Sequence, residues 1–149
     1  MKTPIRRQVK KESTAKAVAG VMPTGKTGGV FKTKSFARDA SAASITDREL
    51  CQAITEVELG QADDLGGGVW KKRLSNNEYR SLILAKGNRA WIYSYLFAKS
   101  SRANIKRDEL QAFREAAQAY RKLSEAKFKE ALDAGKLVEI CHECKQKET

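Results

Sequence analysis

Hydrophobic and polar residues alternate in three stretches in the middle of the chain, which is the pattern of β-strands. The stretches are residues 69–74, 79–86 and 89–97. The connections between them, residues 75–78 and 87–88, are short and rich in Ser, Asn and Gly. Because short connections make neighbouring strands antiparallel, the pattern predicts a three-stranded meander. Residues 30–34 alternate in the same way and predict one more strand before it.

Apolar residues spaced three and four apart predict helices between that first strand and the meander. A short helix is expected with Phe36 and Ala40 facing inward. A second helix begins with a capping box, Thr46 to Glu49. In this motif the threonine hydroxyl accepts from the backbone amide of the glutamate, and the glutamate carboxylate accepts from the backbone amide of the threonine. The inward positions of this helix are Leu50, Ile54 and Val57, and Gly60 ends it. The glycine-rich segment 63–68 is expected to be a turn.

Two more helices are predicted after the meander. The first begins near Lys106 and the second is capped by Ser124 and closed by Gly135. Their apolar positions are Leu110, Phe113, Tyr120 and Leu123, then Phe128 and Leu132. Residues 137–140 are a last strand or an extended tail. The order of elements predicts an α+β fold, a small antiparallel sheet of one N-terminal strand plus the meander, packed against helices.

The domain organisation follows from where the apolar residues lie. Residues 1–29 are a basic flexible leader with too little apolar surface to order itself, residues 30–140 are the folded domain, and residues 141–149 are a C-terminal tail. The leader is either an RNA- or ribosome-binding arm or an idle tail. No apolar run approaches the roughly 20 residues of a membrane span, so we expect no membrane partner.

Cysteine and histidine are scarce. The three cysteines do not make a disulfide framework, and we expect a cytoplasmic location. Cys141, His142 and Cys144 have half the spacing of a zinc site, and the chain has no second cysteine pair to complete it. We therefore interpret them as a tail, with no metal or cofactor expected; a metal bridging two copies stays open.

Positive charge is concentrated in the predicted sheet. Residues 69–107 contain ten Lys or Arg and one acid, Glu78. A rigid array of cations suits a phosphodiester backbone and the charge that develops on it during cleavage. The alternative is that these residues only solvate exposed strand faces.

Candidate site residues follow from strand alternation. Lys71 and Arg73 share one face of their strand, Lys72 lies on the other, and Arg80 is on the next strand. Lys71, Arg73, Arg80 and Lys99 could converge in one patch that clamps a phosphate, and a desolvated lysine there could move a proton. Lys and Arg can position a phosphate for attack by a 2′-hydroxyl and stabilise the transition state without a histidine. The expected RNA-binding residues are Lys72, Lys99, Arg102 and Phe97.

Trp91, Tyr93, Tyr95 and Phe97 recur at every second position of the third strand. Such a stripe either stacks bases or forms the core face of the sheet, and we favour the core for the stripe as a whole. Phe97, near the end of the strand, is its best candidate for contact with RNA.

Four segments together resemble RelE-like toxins of the RelE/ParE superfamily. They are residues 31–38, 64–73, 79–82 and 97–105. The resemblance implies a compact antiparallel sheet flanked by helices, and a toxin neutralised by a cognate antitoxin. RelE-type members cut mRNA on the ribosome, and ParE-type members poison DNA gyrase. The basic pair of the family falls on Lys71 and Arg73, and its arginine on the next strand falls on Arg80, so the resemblance implies catalytic roles for these three residues. Lys71 and Arg73 would hold the phosphate and assist proton transfer, and Arg80 would stabilise the transition state.

The chain departs from that family at two positions. A catalytic arginine at the end of the last strand would fall on Ser100, with Arg102 two residues further on. The C-terminal catalytic tyrosine has no counterpart, because Lys106 or Arg107 occupies that region. Our leading hypothesis is a ribosome-dependent mRNA endonuclease that causes growth arrest, with no small-molecule substrate. The alternatives are a non-enzymatic gyrase-binding toxin, an RNA-binding regulator, or an inactive remnant.

Overall fold

A computed structural model describes residues 29–87 and 90–141 of the protein. The fold contains both helices and strands, and the predicted α+β class is confirmed. In chain order the elements are β1 (Gly29–Thr33), α1 (Lys34–Ala42), α2 (Asp47–Glu58), β2 (Asp63–Gly66), β3 (Val69–Leu74), β4 (Tyr79–Lys86), β5 (Ala90–Ala98), α3 (Arg107–Lys122), α4 (Glu125–Asp133) and β6 (Leu137–Ile140). The expected leader and tail lie outside the described residues, apart from Gly29 and Cys141. No helix in the described ranges is both long and apolar enough to cross a membrane.

The sheet has six strands in the order β2-β3-β4-β5-β1-β6. The meander β3–β4–β5 is antiparallel, as predicted. The sheet as a whole is mixed, because β1 pairs with β5 in parallel while β6 pairs with β1 antiparallel. The N-terminal strand differs from the antiparallel sheet expected, because two helices and three strands separate β1 from β5 and no tight turn sets their relative direction.

Helices cover both faces of the sheet. On the α1/α2 face, the core includes Phe36, Leu50 and Ile54 from the helices and Tyr93 from β5. On the α3/α4 face, Val69, Leu82, Leu84 and Ile92 pack against side chains of α3 and α4. Burial of these two sets of apolar side chains supplies the main driving force for folding. The inward positions predicted for α1 and α2 are confirmed.

A β-bulge in β5 reverses which side its residues face. Tyr95 lies opposite Leu82 and Tyr93 lies opposite Ile83, so Ser94 is the extra residue between them. Before the bulge Tyr93 packs on the α1/α2 face, and after it Tyr95 packs on the α3/α4 face. The four aromatic residues therefore do not form one stripe, because an unpaired residue shifts the alternation by one position.

The capping box of α2 forms only in part. The Thr46 hydroxyl accepts a hydrogen bond from the Glu49 amide at 3.2 Å, as predicted. The Glu49 carboxylate accepts a hydrogen bond from the amide of Ser75. This contact ties the first turn of α2 to the β3–β4 turn. Ser124 caps α4 as expected, accepting from the Lys127 amide at 3.1 Å.

The predicted turn at residues 63–68 is half strand, because its first residues form β2 and pair with β3. Gly67 makes the turn itself with a φ of +66°, and a Cβ added there would lie 2.7 Å from Cγ of Arg114 on α3. Both the conformation and the close approach of α3 therefore require glycine at this position.

Substituting Gly67 with alanine is expected to lower the free energy of unfolding by about 2–3 kcal/mol, from left-handed backbone strain plus overpacking. Gly60→Ala is the matched control, since Gly60 has a φ of +88° but nothing within 4 Å of its added Cβ. That variant should lose only the strain, about 1 kcal/mol. Urea unfolding followed by circular dichroism measures both, and equal losses would show that the contact with α3 does not matter.

A disulfide joins Cys51 of α2 to Cys141, which directly follows β6, with a Cα–Cα distance of 5.3 Å. From the sequence we expected no disulfide framework and placed Cys141 in the tail; this bond was not predicted, because sequence spacing does not reveal that the fold brings together two residues 90 positions apart. His142 and Cys144 lie outside the described residues. Within the described part, no three His, Cys, Asp or Glu side chains are grouped to hold a metal ion.

Candidate nucleic-acid interface

Lys71, Arg73 and Arg80 lie on the α3/α4 face of the sheet. Arg73 is directly opposite Arg80, and Lys71 is opposite Leu82, which belongs to the core on that face. Residues directly opposite each other on antiparallel strands project to the same side. We call Lys71, Arg73 and Arg80 the basic patch. The structure thus brings together the three residues to which the sequence assigned catalytic roles.

Arg80 is the most constrained cation of the basic patch. It is only 9% exposed. Its Nη1 donates hydrogen bonds to the backbone carbonyls of Asn77, at 2.9 Å, and Tyr79, at 3.3 Å. The β3–β4 turn therefore holds the guanidinium. That turn needs left-handed backbone at Ser75, Asn76 and Asn77, a conformation that asparagine tolerates better than most residues.

No carboxylate of the described residues forms a salt bridge with Arg80 or Arg73. A buried cation without an acidic partner is costly, and the two carbonyls only partly offset the loss of water. An anion that reached Arg80 would recover that free energy. Arg73 is exposed and lies beside it across the sheet.

Lys71 is loosely paired. Its Nζ lies 3.8 Å from a carboxylate oxygen of Asp63 on β2, and its side chain is 19% exposed. A long, partly exposed ion pair contributes little to stability, so a phosphate could replace Asp63 at low cost.

Lys72 and Lys99 occupy different positions. Lys72 lies on the α1/α2 face, where its Nζ is 2.8 Å from Glu56 and donates to the carbonyl of Gln61 at 3.0 Å. It is therefore outside the basic patch. Lys99 is exposed just beyond β5, and its amide donates to the carbonyl of Glu78 at 2.9 Å. This contact places Lys99 at the end of the sheet that carries the β3–β4 turn.

The guanidinium of Arg102 already forms hydrogen bonds with other residues of the protein. Its guanidinium pairs with both carboxylate oxygens of Glu109 and donates to the Tyr95 hydroxyl at 3.2 Å. Its Nε donates to the carbonyl of Asn104 at 3.2 Å, and its central carbon lies 5.7 Å from the centre of the Phe97 ring. Most of the donors that would bind a phosphate are therefore already used.

Phe97 is 6% exposed and lies opposite Arg80. Its ring packs against Tyr95, with the centroids 5.6 Å apart, and under Arg102. With so little exposed surface, Phe97 does not present a face to a base, contrary to the contact role expected from the sequence. It packs beneath Arg102 and beside Arg80.

The pKa of Glu109 is lowered to about 2, chiefly by the hydrogen bonds from Arg102 and also by the backbone amide of Lys106. The same pair raises the pKa of Arg102 above its already high ordinary value. Both groups stay charged across the physiological range, so the pair holds the start of α3 against the end of β5.

Because the pKa of Glu109 is lower in the folded than in the unfolded state, its contribution to stability is present above the ordinary pKa of 4.5 and fades as the pH falls toward 2. We expect the difference in urea midpoint between wild type and Glu109→Gln to be constant above about pH 5 and to shrink below it. Glu115→Gln on the same helix is the control. A difference that does not change with pH would contradict the lowered pKa.

Sequence reasoning assigned Tyr95 to the core with the rest of the aromatic stripe and did not single out Glu109, and both lie beside the basic patch. Glu109 had a detectable signal, since a glutamate at the third position of a helix commonly reaches back to the first amide, and here it accepts from Lys106 at 3.0 Å. Tyr95 had no such sequence signal. The bulge that turns it to the α3/α4 face cannot be seen in the alternation of aromatic and other residues along β5.

The family described as the RelE toxin of the RelE/RelB toxin–antitoxin system has a sequence profile that matches residues 29–140. The match begins at β1 and ends at the last residue of β6. The chain belongs to the RelE toxin family. A RelE toxin is the toxin component of a toxin–antitoxin system, and the family implies a cognate antitoxin as partner. No curated protein matches the chain significantly.

Proposed function

We propose that this RelE toxin is a cytoplasmic, ribosome-dependent mRNA endonuclease that inhibits translation. The observation that carries the proposal is Arg80, a nearly buried guanidinium without a carboxylate partner among the described residues, placed directly opposite the exposed Arg73. Such a pair is suited to a phosphate group, because arginines bind phosphate oxygens through charge-assisted hydrogen bonds in a fixed geometry.

In the proposed reaction, the 2′-hydroxyl of the mRNA loses its proton to water and attacks the adjacent phosphorus atom. The bond to the 5′-oxygen breaks as that oxygen takes up a proton from the Lys71 ammonium, which leaves a 2′,3′-cyclic phosphate and a 5′-hydroxyl. Arg73 and Lys71 hold the phosphate in line, and Arg80 stabilises the negative charge that builds up on the phosphate oxygens. The proposal needs no cofactor, since fixed cations supply this stabilisation. Lys99 binds the RNA backbone at the end of the sheet.

The antitoxin would neutralise the toxin by covering the basic patch with an acidic or amphipathic segment. Its carboxylates would compete for Arg80 and Arg73, which lack acidic partners within the described residues. Complementary charge favours fast association with such a segment.

The deciding experiment adds the purified toxin to translating ribosomes and maps new mRNA 5′ ends by primer extension. Ends within codons in the ribosomal A site, absent when antitoxin is added, support the proposal. Intact mRNA together with DNA breaks in a gyrase assay would replace it with the gyrase-binding alternative. The departure from the family at Lys106, which is the N-cap of α3, is the reason to run both assays.

A further inference from the structure

We propose that Tyr95 is a further residue of the RNA site, with its hydroxyl oriented by Arg102 to donate a hydrogen bond to a phosphate oxygen. Arg102 is then a positioning residue that acts through Tyr95 and does not itself bind RNA. The inference rests on the proposed function, because it names one more group that contacts the same substrate.

The position of Tyr95 follows from the strand register. Arg73, Arg80 and Phe97 lie side by side across β3, β4 and β5, and Lys71, Leu82 and Tyr95 form the adjacent row. Both rows project from the α3/α4 face, since directly opposed residues share a side. Tyr95 is therefore two strands from Lys71, about 10 Å at the usual spacing of strands.

The hydrogen bond to Arg102 fixes what the Tyr95 hydroxyl can do. A guanidinium has no acceptor, so in the 3.2 Å contact Arg102 donates and the phenolic oxygen accepts. The hydroxyl proton of Tyr95 is left to donate elsewhere. The positive charge of Arg102 beside the oxygen makes that proton a better donor to an anion.

The Tyr95 ring is held on both sides. Its centroid lies 5.6 Å from the ring of Phe97 on β5 and 5.6 Å from the ring of Phe113 on α3. This packing fixes the ring before any ligand arrives, and a pre-positioned donor binds at a lower entropic cost. Glu109 in turn fixes Arg102 through both of its carboxylate oxygens.

The test is Tyr95→Phe, which removes the hydroxyl and keeps the stacked ring. The probe is a ribosome programmed with a short mRNA whose A-site nucleotides carry 2′-O-methyl groups, so that binding is measured without cleavage. We expect Tyr95→Phe to weaken binding about tenfold, the value of one hydrogen bond to a charged group. Single-turnover cleavage of unmodified mRNA at subsaturating toxin should fall at least as much. Tyr120→Phe, which removes a partly buried hydroxyl from α3, should leave both unchanged.

Arg102→Gln separates positioning from direct binding. If Arg102 acts through Tyr95, the substitution adds nothing in the Tyr95→Phe background and leaves the dependence of affinity on salt concentration unchanged. Arg73→Gln, which removes a phosphate contact, should lower that salt slope by about one. If Arg102→Gln misfolds, Arg102→Lys takes its place in the experiment. Lysine keeps the positive charge but lacks the guanidinium fork that donates to Tyr95 and Glu109 at the same time.

Wild-type affinity in a folded Tyr95→Phe variant would overturn the assignment of Tyr95. A lower salt slope for Arg102→Gln would overturn the positioning role and make Arg102 a direct ligand. Failure of the proposed function has a different signature: the wild-type toxin would neither bind the programmed ribosome nor cleave its mRNA.

Discussion

Replacing Arg80 with glutamine is expected to abolish growth arrest on expression and to slow mRNA cleavage about 10²–10³-fold. The physical reason is that Arg80 is nearly buried and fixed by two backbone carbonyls, so its charge is already aimed when the reacting phosphate arrives. A fixed charge stabilises the transition state without reorganisation at the moment of reaction. Primer extension on translating ribosomes gives the rate, and growth curves give the toxicity.

Lys72→Gln is the matched control for Arg80→Gln. It removes a cation from the next strand at a similar depth, but on the opposite face of the sheet, where Lys72 pairs with Glu56. We expect it to leave toxicity intact. Circular dichroism and urea unfolding establish that both variants fold. Full toxicity in a folded Arg80→Gln protein, or loss of toxicity in Lys72→Gln, would contradict the assignment of the basic patch.

The core of the sheet could be predicted because local rules set it. The bounds of β3 and β4 agree with the alternation, and short turns made the meander antiparallel. Once that register is right, Arg73 must face Arg80. The pairing of these two arginines, on which the proposed function depends, could therefore be predicted from the sequence.

Other features depend on residues far apart in the chain. The parallel pairing of β1 with β5, the disulfide between Cys51 and Cys141, and the contact of Glu49 with Ser75 all join segments whose approach no local pattern encodes. The bulge at Ser94 is local, but its sequence is ordinary for a strand. It nevertheless decides that Tyr95 faces the basic patch and Tyr93 the core.

Arg102 shows why charge alone is a poor guide to role. In the sequence Arg102 and Arg73 are both cations near the end of a strand, and we expected both to contact RNA. The structure separates the two, because Glu109 in the first turn of α3 pairs with Arg102, whereas Arg73 forms no salt bridge with a carboxylate of the described residues. The difference in acidic partners is what separates the proposed phosphate-binding role of Arg73 from the proposed positioning role of Arg102.

Reducing the disulfide between Cys51 and Cys141 is expected to lower the free energy of unfolding by about 2–4 kcal/mol. The bond closes a loop of 90 residues that contains most of the sheet, so breaking it returns much conformational freedom to the unfolded chain. Urea unfolding with and without dithiothreitol measures the loss. Because the bond lies on the α1/α2 face, the reduced toxin should keep its cleavage activity wherever it remains folded.

Two cysteine variants make that measurement specific. Cys51→Ser should have the urea midpoint of the reduced wild type, and dithiothreitol should not change that midpoint. Cys144→Ser leaves the bonded pair intact, so dithiothreitol should lower its midpoint as it does for the wild type. Titration of thiols in the unfolded, unreduced protein should find one in the wild type and none in Cys144→Ser. If dithiothreitol leaves the wild-type midpoint unchanged, or if all three thiols titrate without it, Cys51 and Cys141 are not bonded in solution and the stabilisation of α2 against β6 must come from packing alone.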